Sequence, residues 1–178
     1  MAKRKPSSPT YTALAAITLD GKIARSEKSG SNWTSPEDKT FMRRHLDKSD
    51  VIIVGHTTYK IAAKPLAKRN CIVLTRGVAG GFEQTKPNLA FCNPAKVNLK
   101  KVIAAKGYRR VAVLGGSQIY SYCSDKGMMD ELYLTIEPIV FGEGVSLFSR
   151  LSKTPKFKFI SIKTLNARGT VLMRMLCR

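Results

Sequence analysis

Acidic residues are scarce in this chain of 178 residues: 12 Asp and Glu stand against 31 Lys and Arg, giving a formal net charge of +19. A field of that sign concentrates anions near the surface, so nucleic acid is one candidate partner. The basic residues, however, are spread along the whole chain, without interleaved aromatic residues, zinc-finger spacing or an RNA-binding aromatic motif. A solvated basic surface is therefore favoured, and a non-catalytic nucleic-acid-binding protein stays as an alternative.

Long apolar runs are also missing, and no segment approaches the roughly 18 residues needed to span a bilayer. The basic N-terminal residues lack the apolar stretch and cleavage site of a secretory signal; a short mitochondrial presequence is the less favoured alternative. The four cysteines are scattered without a C-x-x-C pair, and no metal site is expected. These absences favour a cytoplasmic protein with reduced, structural thiols.

The length suits one domain with one substantial core. We expect a basic flexible tail over residues 1–10 and a single domain over residues 11–178. Apolar runs of strand length recur eight times, and helical stretches lie between them. The predicted strands are Tyr11–Thr18, Val51–Val54, Cys71–Thr75, Leu89–Cys92, Val111–Leu114, Glu131–Glu137, Phe157–Lys163 and Thr170–Leu176. The predicted helices are Pro36–Leu46, Thr57–Ala62, Leu99–Ala105 and Ser117–Ser124.

The order of these elements predicts an α/β fold. Uniformly apolar strands such as Val51–Val54 need cover on both faces, so we expect a mostly parallel sheet with helices on both sides. The last two strands are joined by a loop containing Asn166 and Gly169, which predicts an antiparallel hairpin at the sheet edge. A G-x-G-x-x-G motif is absent, which argues against the Rossmann dinucleotide fold.

Three strand ends carry groups that suit phosphate. The segment Gly115–Tyr120 combines two glycines with a helix start, Gly55–Thr58 repeats that design with two threonines, and Thr75–Arg76 adds a hydroxyl and a guanidinium. Each of them could, alone, be a turn or a helix cap. Because ligands of open α/β sheets bind at the carboxyl ends of strands, the three together predict a crevice for a dinucleotide.

One acid, Asp38, lies in the first turn of the helix that Ser35 and Pro36 predict. Helical spacing puts Phe41 and Met42 near the same face, so the carboxylate would lie among apolar side chains. There it could bond a substrate amidine, or manage a proton if burial raises its pKa. A simple interaction with the helix dipole is the alternative.

Taken in order, these segments resemble the dihydrofolate reductase superfamily from about Tyr11 to Leu176. The resemblance is carried by Ala15–Ala24, Trp33, Asp38, Gly55, Thr58, Tyr59, Arg69, Leu74, Thr75, Gly115, Gly116, Ile119, Tyr120, Leu132, Leu134 and Thr135. Each motif is weak alone, but their order and spacing are specific. The resemblance implies a central eight-stranded sheet flanked by helices, NADPH across the strand ends, and a substrate cleft between the first strand and the Asp38 helix.

The resemblance also implies roles for individual residues. Asp38 would bind the pterin 2-amino group and N3 and assist protonation at N5, Thr135 would share that network, and Trp33 would order a water. The implied substrate contacts are Ala16, Met42, Arg69 and Tyr120, of which Arg69 would pair with the α-carboxylate of the substrate's glutamate. The implied cofactor contacts are Ile23, Gly55, His56, Thr57, Thr58, Thr75, Arg76, Gly115, Gly116, Ser117, Gln118, Ile119 and Tyr120. Residues 20–32 would form a mobile loop over the site.

Two positions depart from the family pattern. His56 stands where an arginine usually binds the 2'-phosphate, so NADPH preference would depend more on Arg76. Met42 stands where Phe or Leu usually contacts the pterin ring, and Met is softer there.

Two substrates remain open within the superfamily. Dihydrofolate is the first, because Trp33, Asp38, Arg69 and Thr135 all match that enzyme. The alternative is a riboflavin-biosynthesis reductase acting on 5-amino-6-(5-phosphoribosylamino)uracil, because Met129–Leu132 resembles a segment common there and a basic protein suits a ribose phosphate. Either protein would be an NADPH-dependent oxidoreductase with a small-molecule substrate, acting as a monomer or homodimer.

Overall fold

The computed structural model describes residues 8–178, and the predicted basic tail therefore lies mostly outside the described residues. The strands are β1 Thr10–Thr18, β2 Lys22–Ala24, β3 Val51–Gly55, β4 Cys71–Leu74, β5 Phe82–Lys86, β6 Leu89–Cys92, β7 Arg110–Leu114, β8 Glu131–Glu137, β9 Val145–Ser146, β10 Phe157–Thr164 and β11 Val171–Cys177. The helices are α1 Pro36–Asp47, α2 His56–Ile61, α3 Ala63–Leu66, α4 Leu99–Ala105 and α5 Ser117–Asp125.

The central sheet confirms the predicted fold class. Its strand order is β10-β11-β8-β1-β7-β3-β4-β6-β5, and the six strands from β8 to β6 run parallel. The predicted hairpin is confirmed as β10 and β11, which pair antiparallel and join the sheet through β8. Gly169, in the connecting loop, has a φ of +89°, which glycine adopts without a steric penalty.

The sheet has nine strands rather than the predicted eight. The additional strand, β5, pairs antiparallel with β6 at the second edge and is largely exposed and polar, so it lacks an apolar pattern. The short helix α3 and the two-stranded sheet of β2 and β9 were also not predicted, because they are too short to show periodicity.

Two hydrophobic clusters cover the two faces of the sheet. Alternate residues of β3 divide between them, with Val51 and Ile53 in one cluster and Ile52 and Val54 in the other, as the period of two requires. The first cluster includes side chains of α4 and α5, and the second includes side chains of α1 and α3. Helices therefore lie on both faces, as predicted.

Three of the four cysteines are buried in this core, namely Cys71, Cys92 and Cys123, and all four are free thiols. Burial raises the pKa of the Cys123 thiol to about 12, so this cysteine acts as a small apolar residue. Within residues 8–178, no helix is both long and apolar enough to cross a membrane.

Candidate active site

The three predicted phosphate-binding strand ends lie side by side. β7, β3 and β4 are parallel neighbours, so their carboxyl ends open on the same edge of the sheet. The backbone N–H of Gly55 donates to the carbonyl of Gly115 at 3.0 Å and joins the first two junctions. A Cβ on Gly116 would lie 3.7 Å from Thr58 Oγ1 and 4.0 Å from Ile23 Cδ1. The fold therefore brings Gly116, Thr58 and Ile23 to one point.

Two glycines at this edge are required by close packing. A Cβ on Gly115 would lie 2.4 Å from the ring of Tyr120, and a Cβ on Gly55 would lie 2.9 Å from Ile119 Cγ1. The peptide bond between Gly115 and Gly116 is cis. Tyr120 itself is buried, and its hydroxyl donates to the carbonyl of Leu14 at 2.5 Å. Tyr120 thus supports the glycine turn from within the core.

The first turn of α5 offers backbone donors to an anion. Its N-cap is Gly116, which provides no side-chain capping bond, so the N–H groups at the start of the helix have no side-chain acceptor. Gln118 is exposed in this turn, whereas Ser117 is buried. Such a terminus suits a phosphate, because unpaired N–H groups and the helix dipole act together.

The neighbouring helix α2 follows β3 directly, so its first turn lies at the same edge of the sheet as the first turn of α5. Its N-cap, Gly55, likewise makes no side-chain capping bond. Thr57 is exposed, and the ring of His56 is half-buried and packs edge-on against Phe91 at a centroid distance of 6.3 Å.

The third junction follows β4. The Thr75 hydroxyl accepts from Gly77 N at 3.2 Å, and the carbonyl of Arg76 accepts from Asn93 Nδ2 at 3.1 Å. Arg76 is exposed. These bonds hold the backbone of the turn. The guanidinium of Arg76 stays accessible to a ligand.

Asp38 lies in the first turn of α1 and is only 2% exposed. Pro36 starts the helix, and the side chain of Ser35, the N-cap, accepts from Asp38 N at 3.2 Å. Burial raises the pKa of the Asp38 carboxyl, while the hydroxyls of Thr135 and Thr34 act in the opposite direction. Its Oδ2 is buried without a hydrogen-bond partner among residues 8–178. The carboxyl can therefore accept a bond from a ligand.

Trp33 provides a second unpaired polar atom just before this helix. Its Nε1 is buried and lacks a hydrogen-bond partner in the described part of the chain. The ring packs edge-on against Phe141 at a centroid distance of 5.1 Å, and the guanidinium of Arg25 lies 4.1 Å from the centre of the Phe141 ring. A cleft of about 340 Å³ opens beside Trp33 and is lined by Arg25, Ser29, Gly30, Asn32 and Trp33.

Three further predicted residues line the region around Asp38. Ala16 of β1 is the register partner of Thr135 of β8, and both are buried. Met42 is half-buried one turn after Asp38 and packs on the cluster beneath α1. The fold therefore assembles Asp38, Thr135, Ala16 and Met42 from α1, β1 and β8.

The segment predicted as a mobile loop is tied to the chain around residue 141. Within it, β2 pairs with β9. The carboxylate of Asp20 accepts from the backbone N–H groups of Phe141 and Gly142 at 3.1 and 2.9 Å. The start of this loop is thus anchored, and its mobility stays a prediction.

Arg69 lies apart from the other predicted residues. Its guanidinium bonds the carboxylate of Asp47 and the carbonyl of Pro65. Asp47 ends α1, nine residues after Asp38, which is about 13 Å along the helix. A second cavity, of about 470 Å³, lies here and is lined by Arg69, Asp47, Lys64 and Lys68, among others. Arg69 is thus held at the C-terminal end of α1, whereas Asp38 lies in the first turn of that helix.

Glu137, which sequence reasoning missed, is a second buried carboxylate at the site. It is 5% exposed and accepts from Ser35 N and from the Thr170 hydroxyl, both at 2.7 Å. Its charge raises the pKa of Asp38 further. A sequence signal existed: Glu137 lies two residues after Thr135 on the same face of a strand that is otherwise mostly apolar. Within residues 8–178, no cluster of three or more His, Cys, Asp or Glu is arranged for a metal ion.

The fold and site define an α/β protein with glycine-rich junctions at the carboxyl ends of neighbouring parallel strands and with a buried carboxyl, Asp38, in the first turn of α1. The family model for dihydrofolate reductase matches residues 10–166. The chain belongs to the dihydrofolate reductase family, and it is an oxidoreductase of that family.

Similar proteins include two dihydrofolate reductases and a pyrimidine reductase-like protein. The chain is 26% identical over 130 residues to dihydrofolate reductase of Buchnera aphidicola, with coverage of 71% of this chain and 72% of that protein. A pyrimidine reductase-like protein from Corynebacterium diphtheriae superposes with a TM-score of 0.75 at 15% identity, covering 96% and 92% of the two chains. Dihydrofolate reductase from Enterococcus faecalis, complexed with NADP(H), superposes with a TM-score of 0.68 at 19% identity, covering 94% and 96%.

Proposed function

We propose that the protein is an NADPH-dependent dihydrofolate reductase. The observation that carries this proposal is the buried carboxyl of Asp38 with its unpaired Oδ2. The 2-amino-4-oxo ring of dihydrofolate presents two adjacent N–H donors, at the 2-amino group and at N3, and a carboxylate accepts both. A uracil ring presents its N3–H between two carbonyls, whose oxygens the carboxylate would repel, but N1–H of the riboflavin-pathway substrate lies beside the 6-amino N–H and offers a second donor pair. The carboxyl therefore fits the 2-amino and N3 edge of dihydrofolate, and the two substrates must be distinguished by turnover.

The strand edge fits NADPH. The Gly115–Gly116 turn and the first amides of α5 would hold the pyrophosphate, because the glycines let backbone donors approach closely. Thr58 and Ile23 lie beside that turn, and Arg76 would pair with the 2'-phosphate. When bound, NADPH supplies the hydride through its nicotinamide ring.

The protein's own contribution is to orient the substrate and to manage one proton. Asp38 Oδ2 accepts from the substrate, and Thr135 and Thr34 hold the carboxyl through their hydroxyls. Because burial raises its pKa, Asp38 keeps a proton at higher pH than an exposed aspartate does. Asp38 would pass that proton to N5 through a water, to which Trp33 Nε1 would donate, and its carboxylate would then accept both substrate N–H groups; the carbon beside N5 would accept the hydride.

NADPH oxidation measured with dihydrofolate, and separately with 5-amino-6-(5-phosphoribosylamino)uracil, tests the proposal. We expect turnover with dihydrofolate and little with the pyrimidine. Turnover with the pyrimidine alone would reject dihydrofolate as the substrate. If NADPH does not bind at all, and nucleic acid binds with a steep salt dependence, the enzymatic proposal fails as a whole.

The riboflavin-pathway reductase is the second candidate. Its support is the net charge of +19, because that substrate carries a ribose phosphate that a basic protein attracts.

A further inference from the structure

A chain of hydrogen bonds links the loop of the C-terminal hairpin to the first turn of α1. Asn166 Nδ2 donates to the Thr170 hydroxyl at 3.0 Å, and that hydroxyl donates to Glu137 Oε2 at 2.7 Å. The other oxygen of Glu137 accepts from Ser35 N at 2.7 Å. Ser35 caps α1 by accepting from Asp38 N. Both oxygens of Glu137 are thus engaged: one holds the N-cap of the helix that carries Asp38, and the other holds the hairpin loop.

We propose that Glu137 is a positioning residue for Asp38: it fixes the N-cap of α1 against β8 and ties it to the hairpin loop. This inference rests on the proposed function only for its kinetic consequence. Glu137 touches neither substrate nor cofactor in this proposal. Its effect passes through Ser35, because the helix cannot shift at its first turn while the buried Ser35 N–H is held by a charged acceptor.

The charge of Glu137 also acts on the pKa of Asp38, and this effect can be measured separately from turnover. Three groups act electrostatically with the Asp38 carboxyl: Glu137 from β8, Lys39 from α1 and Tyr120 from α5. Glu137 raises the pKa of Asp38, and Lys39 lowers it. Removing the charge of Glu137 should therefore lower the pKa of Asp38, whereas a residue that only filled space would leave that pKa unchanged.

The first experiment follows the pKa of Asp38 in the free protein by ¹³C NMR of the aspartate carboxyls, of which the chain has six. The Asp38→Asn variant assigns the signal. We expect Glu137→Gln to move the titration of Asp38 to lower pH. The control is Glu83→Gln, which removes the same charge from an exposed residue of the edge strand β5, outside this hydrogen-bond chain, and should leave the titration in place. An unmoved titration in Glu137→Gln overturns the proposal, whether or not the protein reduces dihydrofolate.

The second experiment is kinetic. If the protonated Asp38 is the active form, kcat falls as pH rises through its pKa, so Glu137→Gln should move that fall to lower pH. We expect kcat at neutral pH to drop about tenfold or more while the KM for NADPH stays within about twofold. Absence of any turnover in the wild-type protein would reject the proposed function and leave the NMR result to judge Glu137.

Thr170 provides a test that keeps the charge of Glu137, should Glu137→Gln fail to fold. Thr170→Val removes the hydroxyl that donates to Glu137 and preserves the shape of the side chain. We expect kcat to fall in Thr170→Val and to return in Thr170→Ser, which keeps the hydroxyl. Equal kcat values in Thr170→Val and the wild type would show that the hydrogen-bond chain does not position Asp38.

Discussion

Asp38→Asn is the substitution that most directly tests the site. Asparagine has nearly the shape of aspartate, so the packing around this buried position should persist. The amide keeps one acceptor oxygen, but it replaces the other oxygen with a donor and cannot release a proton. A substrate with two N–H donors would then lose one of its two partners.

Two effects set the magnitude. A hydrogen bond to a charged group contributes about 1.5 to 3 kcal/mol, so the KM for dihydrofolate should rise about 10- to 100-fold. Loss of the positioned proton donor should lower kcat about 100- to 10,000-fold. The affinity for NADPH should change little, because the strand edge proposed to bind it is built from β7, β3 and β4 rather than α1.

Stopped-flow hydride transfer and steady-state NADPH oxidation measure both quantities, and Glu83→Gln, at an exposed position of the edge strand β5, is the control for loss of a charge. The same variant has a consequence for stability. Because burial raises the pKa of Asp38, its charged form opposes folding at pH values above that pKa, and this effect disappears as pH falls towards the ordinary value of 3.8. Asp38→Asn should therefore raise the Tm at neutral pH but not in acid. Unchanged turnover in Asp38→Asn would refute the role of this carboxyl.

Three further predictions concern the ligand-binding groups. Gly116→Ala should fold normally, since its nearest neighbour lies 3.7 Å away, but its methyl group would enter the cradle and weaken NADPH binding at least tenfold in a calorimetric titration; Gly80→Ala, with nothing within 4 Å, should bind as the wild type does. Arg76→Ala should raise the KM for NADPH about 10- to 100-fold and leave that for NADH unchanged, so an equal rise for both would place the 2'-phosphate elsewhere. Arg69→Gln should raise the KM for dihydrofolate but not for a dihydropterin without glutamate; the same KM change for both substrates would contradict contact with the glutamate.

Sequence patterns predicted most of the fold, because helix capping and strand hydrophobicity depend on residues that are neighbours in the sequence. The start of α1 follows from Ser35 and Pro36, which supply the cap and the first residue of the helix. The interior strands are apolar on both faces, and that pattern distinguished them before any contact was known. The exposed edge strand β5 has no such pattern, because only its pairing with β6 makes it a strand.

The features of the site also divide into those that the sequence predicted and those that it did not. The glycines, threonines and Arg76 at the strand ends were predicted, because the carboxyl ends of parallel strands meet at one sheet edge. The sequence did not predict that Tyr120 is oriented towards the core or that Arg69 pairs with Asp47. It contains no signal for the direction in which those side chains point.

The sequence by itself determined eight of the strands, the start of α1, the family resemblance and the position of Asp38 in the chain. Only the tertiary structure decided what surrounds that carboxyl. Ser35 and Glu137 are 102 residues apart, and no pattern in the sequence links them. Their hydrogen bond forms because β8 and the first turn of α1 pack together, and burial then makes each polar contact there far stronger than it would be in water.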